Sequence, residues 1–383
     1  METTVKRILF IGRFTGNGGA ERHVISSARE LKKAGYATDL LLLMHPTTFG
    51  VFKDFPGNVL SPTDNGLLAK VASYLRLWRL IAYADIVVCS SELTPTYISW
   101  FLCSLRKRPF VAEVQISLSS TIQQSALHKL LCRRIYPQIR FIRCVSHGVA
   151  DDLIKSFGVP KPNTDVIYGP FDLEEIQRLA SEPMSSDDQR IFGRLTIVSA
   201  GRLERQKRFD LAIDAVVALS ETFDVQLLIL GDGEEREALQ QRIKKLGIGE
   251  RIHLLGFREN PYPFFARASL FLLSSDFEGL GRVIVEALAL ECPVVSTDCP
   301  SGPREILGNE FGVLVPTGDA TEMRNGCERV LRDQELSQRL RAQGRGRAND
   351  FAATKTTGQL INLLERAYRS SPPVNLHKRS AVW

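Results

Sequence analysis

LTIVSAGRLERQKRFDLAIDAVVALSETFDVQLLILG, residues 195–231, decides the fold. An apolar, β-rich run ends at Gly201, and a short loop carrying Arg202 and Lys207 follows. A helical pattern comes next, and a second apolar run closes at Gly231. Apolar runs without alternation fit strands buried on both faces. Strand, helix, strand is the repeating unit of a parallel sheet, because parallel neighbours need a long crossover between them.

The rhythm continues both ways. Upstream stand RILFIG (7–12), TDLLLL (38–43), DIVVCS (85–90), PFVAEV (109–114), RFIRCV (140–145) and TDVIYG (164–169). Downstream stand RIHLLGF (251–257), SLFLLSS (269–275), CPVVST (292–297) and FGVLVP (311–316). The expected fold is α/β: two Rossmann-like, doubly wound parallel-sheet domains facing across a cleft. SEPMSSDDQR (181–190), rich in Ser and Asp, reads as the start of a linker. The expected division is a first domain over 1–180, a linker over 181–194 and a second domain over 195–350. A helix over 351–370 packs back on the first domain, and a flexible tail covers 371–383. Ligands of such sheets bind beyond the carboxyl ends of the strands, so the useful residues follow each run.

Composition agrees. At 383 residues, the chain is long for one core and comfortable for two. Hydrophobic residues make up 44 % and charged residues 24 %, ordinary for a globular protein. No run approaches the ~18 apolar residues of a membrane span, and METTVKRILFIGRF (1–14) reads as a first strand rather than a secretory signal. The seven cysteines are odd in number and show no C-x-x-C pair, so free thiols in a reducing cytosol are expected. Residues 1–170 hold 21 Lys and Arg against 12 Asp and Glu, whereas the rest hold 28 against 31. A basic first half faces an anionic partner: nucleic acid, an anionic membrane surface or a phosphate-bearing acceptor.

DFEGLGRVIVEALALECP (276–293) carries the sharpest signal. A helix is expected from about Leu280 to Leu290, apolar on every side and therefore buried. Glu286 is the one carboxylate in its apolar run, and an unpaired buried carboxylate costs several kcal/mol. It therefore meets a partner or borders a cleft. Glu278 sits on the turn before the helix. The N–H groups near Leu280 and Gly281 make an anion site. A phosphate at the helix start, flanked by two carboxylates suited to hydroxyls, is one picture; a helix cap and a salt bridge are the other. Arg202 and Lys207, after a strand end, can neutralise a diphosphate or serve as plain surface charges. GDGEE (231–235) is a tight strand-to-helix turn.

In the first half, IGRFTGNGGAERHVIS (11–26) places Gly16, Gly18 and Gly19 before a helix starting near Ala20. The spacing misses G-x-G-x-x-G, yet a glycine turn close to phosphate fits. YLRLWRLIAY (74–83), SWFLCSLRKRPF (99–110) and LHKLLCRRIYPQIRFIR (127–143) interleave basic with apolar residues and suit a membrane surface. The other reading packs Trp78 and Trp100 in the core. There is no nucleic-acid motif, no paired-histidine metal motif, no D-x-D and no G-x-S-x-G, so metalloenzyme and serine-hydrolase readings fall away.

The ordered set of motifs resembles glycosyltransferase family 4, of GT-B architecture. EGLGRVIVE (278–286) is similar to its E-x7-E motif. GRLERQK (201–207), GDG (231–233), LLGF (254–257), DCPSGPREIL (298–307) and GVLVP (312–316) resemble its other landmarks, and GGAE (18–21) its N-terminal glycine turn. The resemblance implies an anomer-retaining hexosyltransferase that needs no metal or other cofactor. Its donor would be a nucleotide sugar, UDP-linked by expectation, held by the second domain. Its acceptor, lipid-linked or a polysaccharide, would be held by the first. Carried over, Arg202 and Lys207 bind the diphosphate and Glu278 contacts the transferred sugar, the three forming the catalytic set. Glu286 holds the ribose hydroxyls, and Leu280 and Gly281 offer backbone N–H groups. Gly18, Gly19, Gly256 and Phe257 complete the donor site. The implied setting is cell-surface glycan synthesis by a cytoplasmic protein, peripheral on the inner face of the cell membrane, with no nucleic-acid partner. Two positions depart from the family pattern: Gln115 stands where relatives often carry histidine, and Tyr168-Gly169-Pro170 where they often read N-P or N-G. A nucleotide-sugar epimerase or hydrolase of GT-B fold, or a degenerate binding scaffold, are the alternatives.

Overall fold

The structure is a computed structural model that describes residues 5–16 and 18–370. The expected flexible tail, 371–383, lies outside the described residues. The chain divides into two compact units: unit 1 runs to Pro170 and resumes at Ala353, and unit 2 is Phe171–Ala352.

Unit 1 contains strands β1 (Arg7–Gly12), β2 (Ala37–Leu42), β3 (Val59–Leu60), β4 (Ile86–Cys89), β5 (Phe110–Val114), β6 (Ile142–Cys144) and β7 (Thr164–Val166). They form one parallel sheet in the order β3-β2-β1-β4-β5-β6-β7. Between them run α1 (Gly19–Lys33), α2 (Leu67–Ile81), α3 (Thr94–Leu105), the single turn α4 (Leu118–Thr121), α5 (Ala126–Ile135) and α6 (His147–Phe157). Ile8, Leu9, Phe10 and Ile11 are successive residues pointing alternately to the two faces, and all are at most 1 % exposed. Both faces of the sheet are covered, which is why the strand reads as a continuous apolar run.

Unit 2 begins with α7 (Leu173–Ala180) and α8 (Ser186–Arg190). Then come β8 (Leu195–Ala200), α9 (Phe209–Leu219), β9 (Val225–Leu230), α10 (Arg236–Leu246), β10 (Ile252–Gly256), α11 (Tyr262–Arg267), β11 (Leu270–Leu273), α12 (Arg282–Ala289), β12 (Val294–Thr297), α13 (Pro303–Leu307), β13 (Val313–Val315), α14 (Ala320–Arg332) and α15 (Gln334–Ala348). The parallel sheet has the order β10-β9-β8-β11-β12-β13.

The stretch expected as a linker, 181–194, carries α8 and clusters with unit 2. Its Ser and Asp residues serve as helix-cap chemistry: Ser185 Oγ accepts from the Asp188 backbone at 3.1 Å. Asp188 in turn pairs with Arg258 at 3.0 Å. The change of unit falls at Pro170 instead.

The last helix, α16 (Ala353–Arg369), belongs to unit 1. Its Leu360, Leu363, Leu364 and Ala367 join α1 residues Val24, Ala28 and Leu31 in one apolar cluster on the sheet. Glu365 accepts from the Val5 amide at 3.3 Å, and Arg366 pairs with Asp165 at 2.5 Å.

Candidate functional site

In unit 2 the chain moves outward from β8 to β9 in one direction and from β11 to β12 in the other. β8 and β11 are neighbours, so the loops that follow them diverge and open a crevice at the carboxyl edge. GRLERQK (201–207) follows β8, and SDFEGLG (275–281) follows β11.

The two loops are laced together. The Asp276 amide donates to Gln206 O at 2.9 Å, Ser274 Oγ donates to Lys207 O at 2.7 Å, and Arg208 pairs with Asp276 at 3.1 Å. Between them lies the pair at the heart of the site: Lys207 Nζ sits 2.7 Å from Glu278 Oε1. Ser275 Oγ donates to the same oxygen at 2.7 Å. The two side chains are 17 % and 8 % exposed, so the pair borders solvent at the lysine end. Thr297 Oγ1, from the end of β12, holds Ser275 O at 2.7 Å. The Cys299 thiol beside this pair is pushed up to about 12 by burial, with the Glu278 charge adding, so it stays protonated and is no nucleophile.

Two glycines let backbones approach where no side chain fits. Gly231 has φ 148°, and a Cβ there would lie 1.9 Å from Gly201 O. The G-D-G turn therefore packs directly on the cation-bearing loop, with Leu203 N donating to Asp232 O at 2.9 Å. Gly302 has φ 87°, and its Cβ would lie 2.1 Å from Leu280 O. The S-G-P segment thus braces the turn that leads into α12.

That helix begins at Arg282, two residues later than expected, with Gly281 as its N-cap at φ 83° and no side chain capping its first turn. An uncapped helix start favours an anion. Glu286 is 3 % exposed, as its place in a buried helix requires. Arg282, one turn earlier, stands 3.8 Å from Glu286 and stacks at 4.1 Å over the Phe171 ring. Arg202 is half exposed, and its guanidinium is held by Glu204 at 2.6 Å. Gly256 ends β10 at φ 76° and accepts from the Gly231 amide at 2.9 Å, while Phe257 beside it is 38 % exposed.

The structure therefore joins Lys207 to Glu278, sets Leu280 and Gly281 at the adjacent helix start, and puts Gly256 against the G-D-G turn. Arg202 and Glu286 are engaged with other partners. Gly18 and Gly19 lie in unit 1, at the switch between β1 and β4, where Gly18 caps α1 and Gly19 begins it. Gln115 follows β5, and its backbone amide donates to Glu92 at 2.6 Å.

Two features of unit 1 escaped the sequence reading. The first is Glu21, the acid of G-G-A-E. It is 3 % exposed and accepts from the Thr15 and Gly16 amides, each at 2.9 Å, so it ties down the glycine turn. The second is a fully buried ion pair: Arg143 on β6 donates to Glu113 on β5 at 2.6 Å, both side chains 0 % exposed. His23 stands 3.7 Å from the same carboxylate, and Ser90 Oγ donates to it. Arg143 further donates to Ser27 Oγ, Ile167 O and Tyr168 O, each at 3.2 Å. Burial by itself would raise the Glu113 carboxyl, but the Arg143 charge, with His23 and Ser90, outweighs it and holds the group down at about 2. The signal was available as a charged residue inside each of two apolar runs, PFVAEV and RFIRCV.

Among the described residues no group of three or more His, Cys, Asp or Glu side chains could hold a metal ion. None of the described helices is long and apolar enough to cross a membrane.

Two family models match the chain: "Glycosyltransferase Family 4" over residues 17–175 and "Glycosyl transferases group 1" over residues 185–347. The chain belongs to glycosyltransferase family 4. It is 34 % identical over 241 residues to a Campylobacter jejuni N-acetylgalactosamine-N,N'-diacetylbacillosaminyl-diphospho-undecaprenol 4-alpha-N-acetylgalactosaminyltransferase, covering 63 % of this chain and 64 % of that relative. The chain thus spans a little under two thirds of that family member's length. Phosphatidyl-myo-inositol mannosyltransferase of Mycobacterium leprae is 25 % identical over 371 residues, 94 % of this chain and 96 % of its own. Among solved structures, Anabaena HepE in complex with UDP and glucose superposes with a TM-score of 0.81 at 20 % identity, covering 94 % of this chain and all of that one. The fold of this family-4 chain is GT-B.

Proposed function

We propose that the protein is a retaining glycosyltransferase that moves a sugar from a UDP-sugar to a lipid-linked or polysaccharide acceptor in cell-surface glycan synthesis. The observation that carries this reading is the Lys207–Glu278 pair at the β8/β11 switch point. It is supported by the C. jejuni relative, whose name places its acceptor on diphospho-undecaprenol, and by the HepE neighbour, which binds UDP and glucose.

In this reading Lys207 Nζ turns from Glu278 to the donor diphosphate, and the freed carboxylate accepts from a hydroxyl of the transferred sugar. Arg202 leaves Glu204 to join it. The start of α12 adds its backbone N–H groups and dipole. Together these positive groups stabilise the leaving diphosphate as its charge develops, so no metal is needed. Glu286 holds the ribose hydroxyls. Because a lipid-linked acceptor is presented at a bilayer, the protein works as a peripheral protein on the inner face of the cell membrane.

The test is calorimetric titration with UDP and with GDP in the presence of a chelator. Saturable binding of UDP, with GDP weaker, is the expected result. Binding of neither would sink the donor site and favour a scaffold that only resembles the enzymes. With a bound donor, product analysis separates sugar transfer from epimerisation or simple hydrolysis.

Gly302→Ala gives a second check. The added methyl has backbone on its contact side, so the turn at 279–281 must shift by an ångström or more. A misplacement of that size can cost ~10²-fold. UDP affinity is expected to fall by at least about tenfold with the circular dichroism spectrum unchanged. Parent-like affinity would detach this turn from the donor site.

A further inference from the structure

A cavity of about 240 Å³ opens on the edge of unit 2, beside β13. β13 ends the sheet, so β12 separates it from the crevice between β8 and β11. The cavity is lined by α13, the loop into β13, the end of α14 and the start of α15, and neither Lys207 nor Glu278 reaches it. It is smaller than the ~300–1,000 Å³ of sites for drug-sized ligands, which suits a molecule smaller than a nucleotide sugar.

Three arginines line it: Arg304 of α13, Arg329 of α14 and Arg339 of α15. Arg304 is engaged, its Nε donating to Asp298 at 2.9 Å. The other two stand out among the seven arginines of α14 and α15. Arg324 and Arg332 both pair with Glu328, at 2.7 and 2.6 Å. Arg341 donates to Glu291 O at 3.1 Å, Arg345 to Gln177 at 3.2 Å, and Arg347 pairs with Asp350 at 2.9 Å. Arg329 and Arg339 have no such side-chain partner among the described residues, and these are the two that face the cavity. Glu310 lines the same space and forms an ion pair with none of the three arginines. Opposite charges that share a space without meeting leave room for a molecule between them.

The strand edge adds a peptide group. Asp298 N donates to Val315 O at 2.7 Å, so Val313 and Val315 turn their peptide groups to β12, and Leu314 turns its own to the open side, where the cavity lies. With three residues before Pro316, this edge is too short to take up a peptide as a further strand.

The lining says what would fit. Two unpaired guanidiniums match the oxygens of a phosphate. A carboxylate, the Asn309 carboxamide and an open peptide group match hydroxyls. A bare polyanion would meet Glu310 as a like charge.

We propose that this cavity is a small-molecule site apart from the crevice, taking a sugar phosphate with its phosphate between Arg329 and Arg339 and its hydroxyls on Glu310, Asn309 and the Leu314 peptide group. The site stands independently of the reading of the crevice as a donor site.

The full chain is titrated calorimetrically with glucose 6-phosphate, with glucose and with inorganic phosphate, each with and without excess UDP. Glucose 6-phosphate should bind once per chain, about tenfold or more tighter than inorganic phosphate, whether or not UDP is present. Glucose should give no measurable heat. Arg329→Gln with Arg339→Gln should weaken glucose 6-phosphate binding by about tenfold or more. Glu310→Gln should weaken glucose 6-phosphate yet tighten inorganic phosphate, because a hydroxyl acceptor and a like charge go together. All three side chains belong to exposed residues, so the circular dichroism spectrum should not change. A parent that does not bind glucose 6-phosphate, or an arginine variant that binds it like the parent, overturns the proposal. So does displacement by UDP, because the ligand then sits in the crevice. Inorganic phosphate binding as tightly as glucose 6-phosphate also overturns it, by showing a plain basic patch. Glucose 6-phosphate binding in a chain that fails to bind UDP would fell the donor reading and leave this one standing.

Discussion

Lys207→Ala is expected to weaken UDP binding by roughly 30- to 1000-fold, about 2–4 kcal/mol. Two effects add. The substitution removes the cation that would meet the diphosphate. It also leaves Glu278, 8 % exposed, with a hydroxyl in place of a charge partner, so a carboxylate now faces the incoming phosphates. A second substitution separates the two: Glu278→Gln in the Lys207→Ala background should recover part of the lost affinity by removing the repulsion. The coupling from the four proteins measures the pair itself. Equal UDP affinity in the Lys207→Ala variant and the parent, by calorimetry, would take Lys207 out of the site. A loss with no recovery in the double variant would mean that Glu278 does not face the phosphates.

The second large effect is on stability. Arg143→Met keeps the approximate length and volume of the side chain but leaves Glu113 buried without its cation. Breaking a fully buried pair from one side costs about 3–5 kcal/mol. For a unit of this size that is a fall in Tm of roughly 6–20 °C. The same pair sets an acid limit on the parent. The Glu113 carboxyl is held below its ordinary 4.5, at about 2, in the folded protein. Its contribution is therefore complete above the ordinary carboxylate range and is lost as pH falls through that range towards 2. The variant should show a smaller loss of stability over that acid range. A Tm within about 2 °C of the parent at pH 7 would show that the network is relaxed by water or by rearrangement and holds little.

The sheets were legible in the sequence because burial on both faces removes polar residues from every second position as well as the first. Runs such as LTIVSAG and VQLLILG carry that mark, and twelve of the thirteen strands among the described residues fall on such runs. β3, Val59–Leu60, is an edge strand of two residues and left no run to read. The cation and acid of the unit 2 site were legible as residue types following strand ends. Their pairing was not, because Lys207 and Glu278 are 71 positions apart and only the sheet order makes their loops neighbours. The same holds for Glu113 and Arg143, whose charges hid within strands that otherwise read as apolar. Glu21 was visible only as part of a glycine motif. Nothing local says that its carboxylate turns back five and six positions to hold two amides. The unit boundary was misplaced because the Ser and Asp residues that cap a helix are also those that fill a linker.

Unit 1 is interrupted in sequence. Its sheet is finished by Val166, yet the apolar face that α16 covers waits for Leu360, Leu363 and Leu364. At ~5–20 residues per second, a ribosome needs roughly 10–40 s to make the intervening chain. During that interval the face on which α1 lies is only partly covered, and Leu360, Leu363 and Leu364 close it only after all of unit 2 has been made.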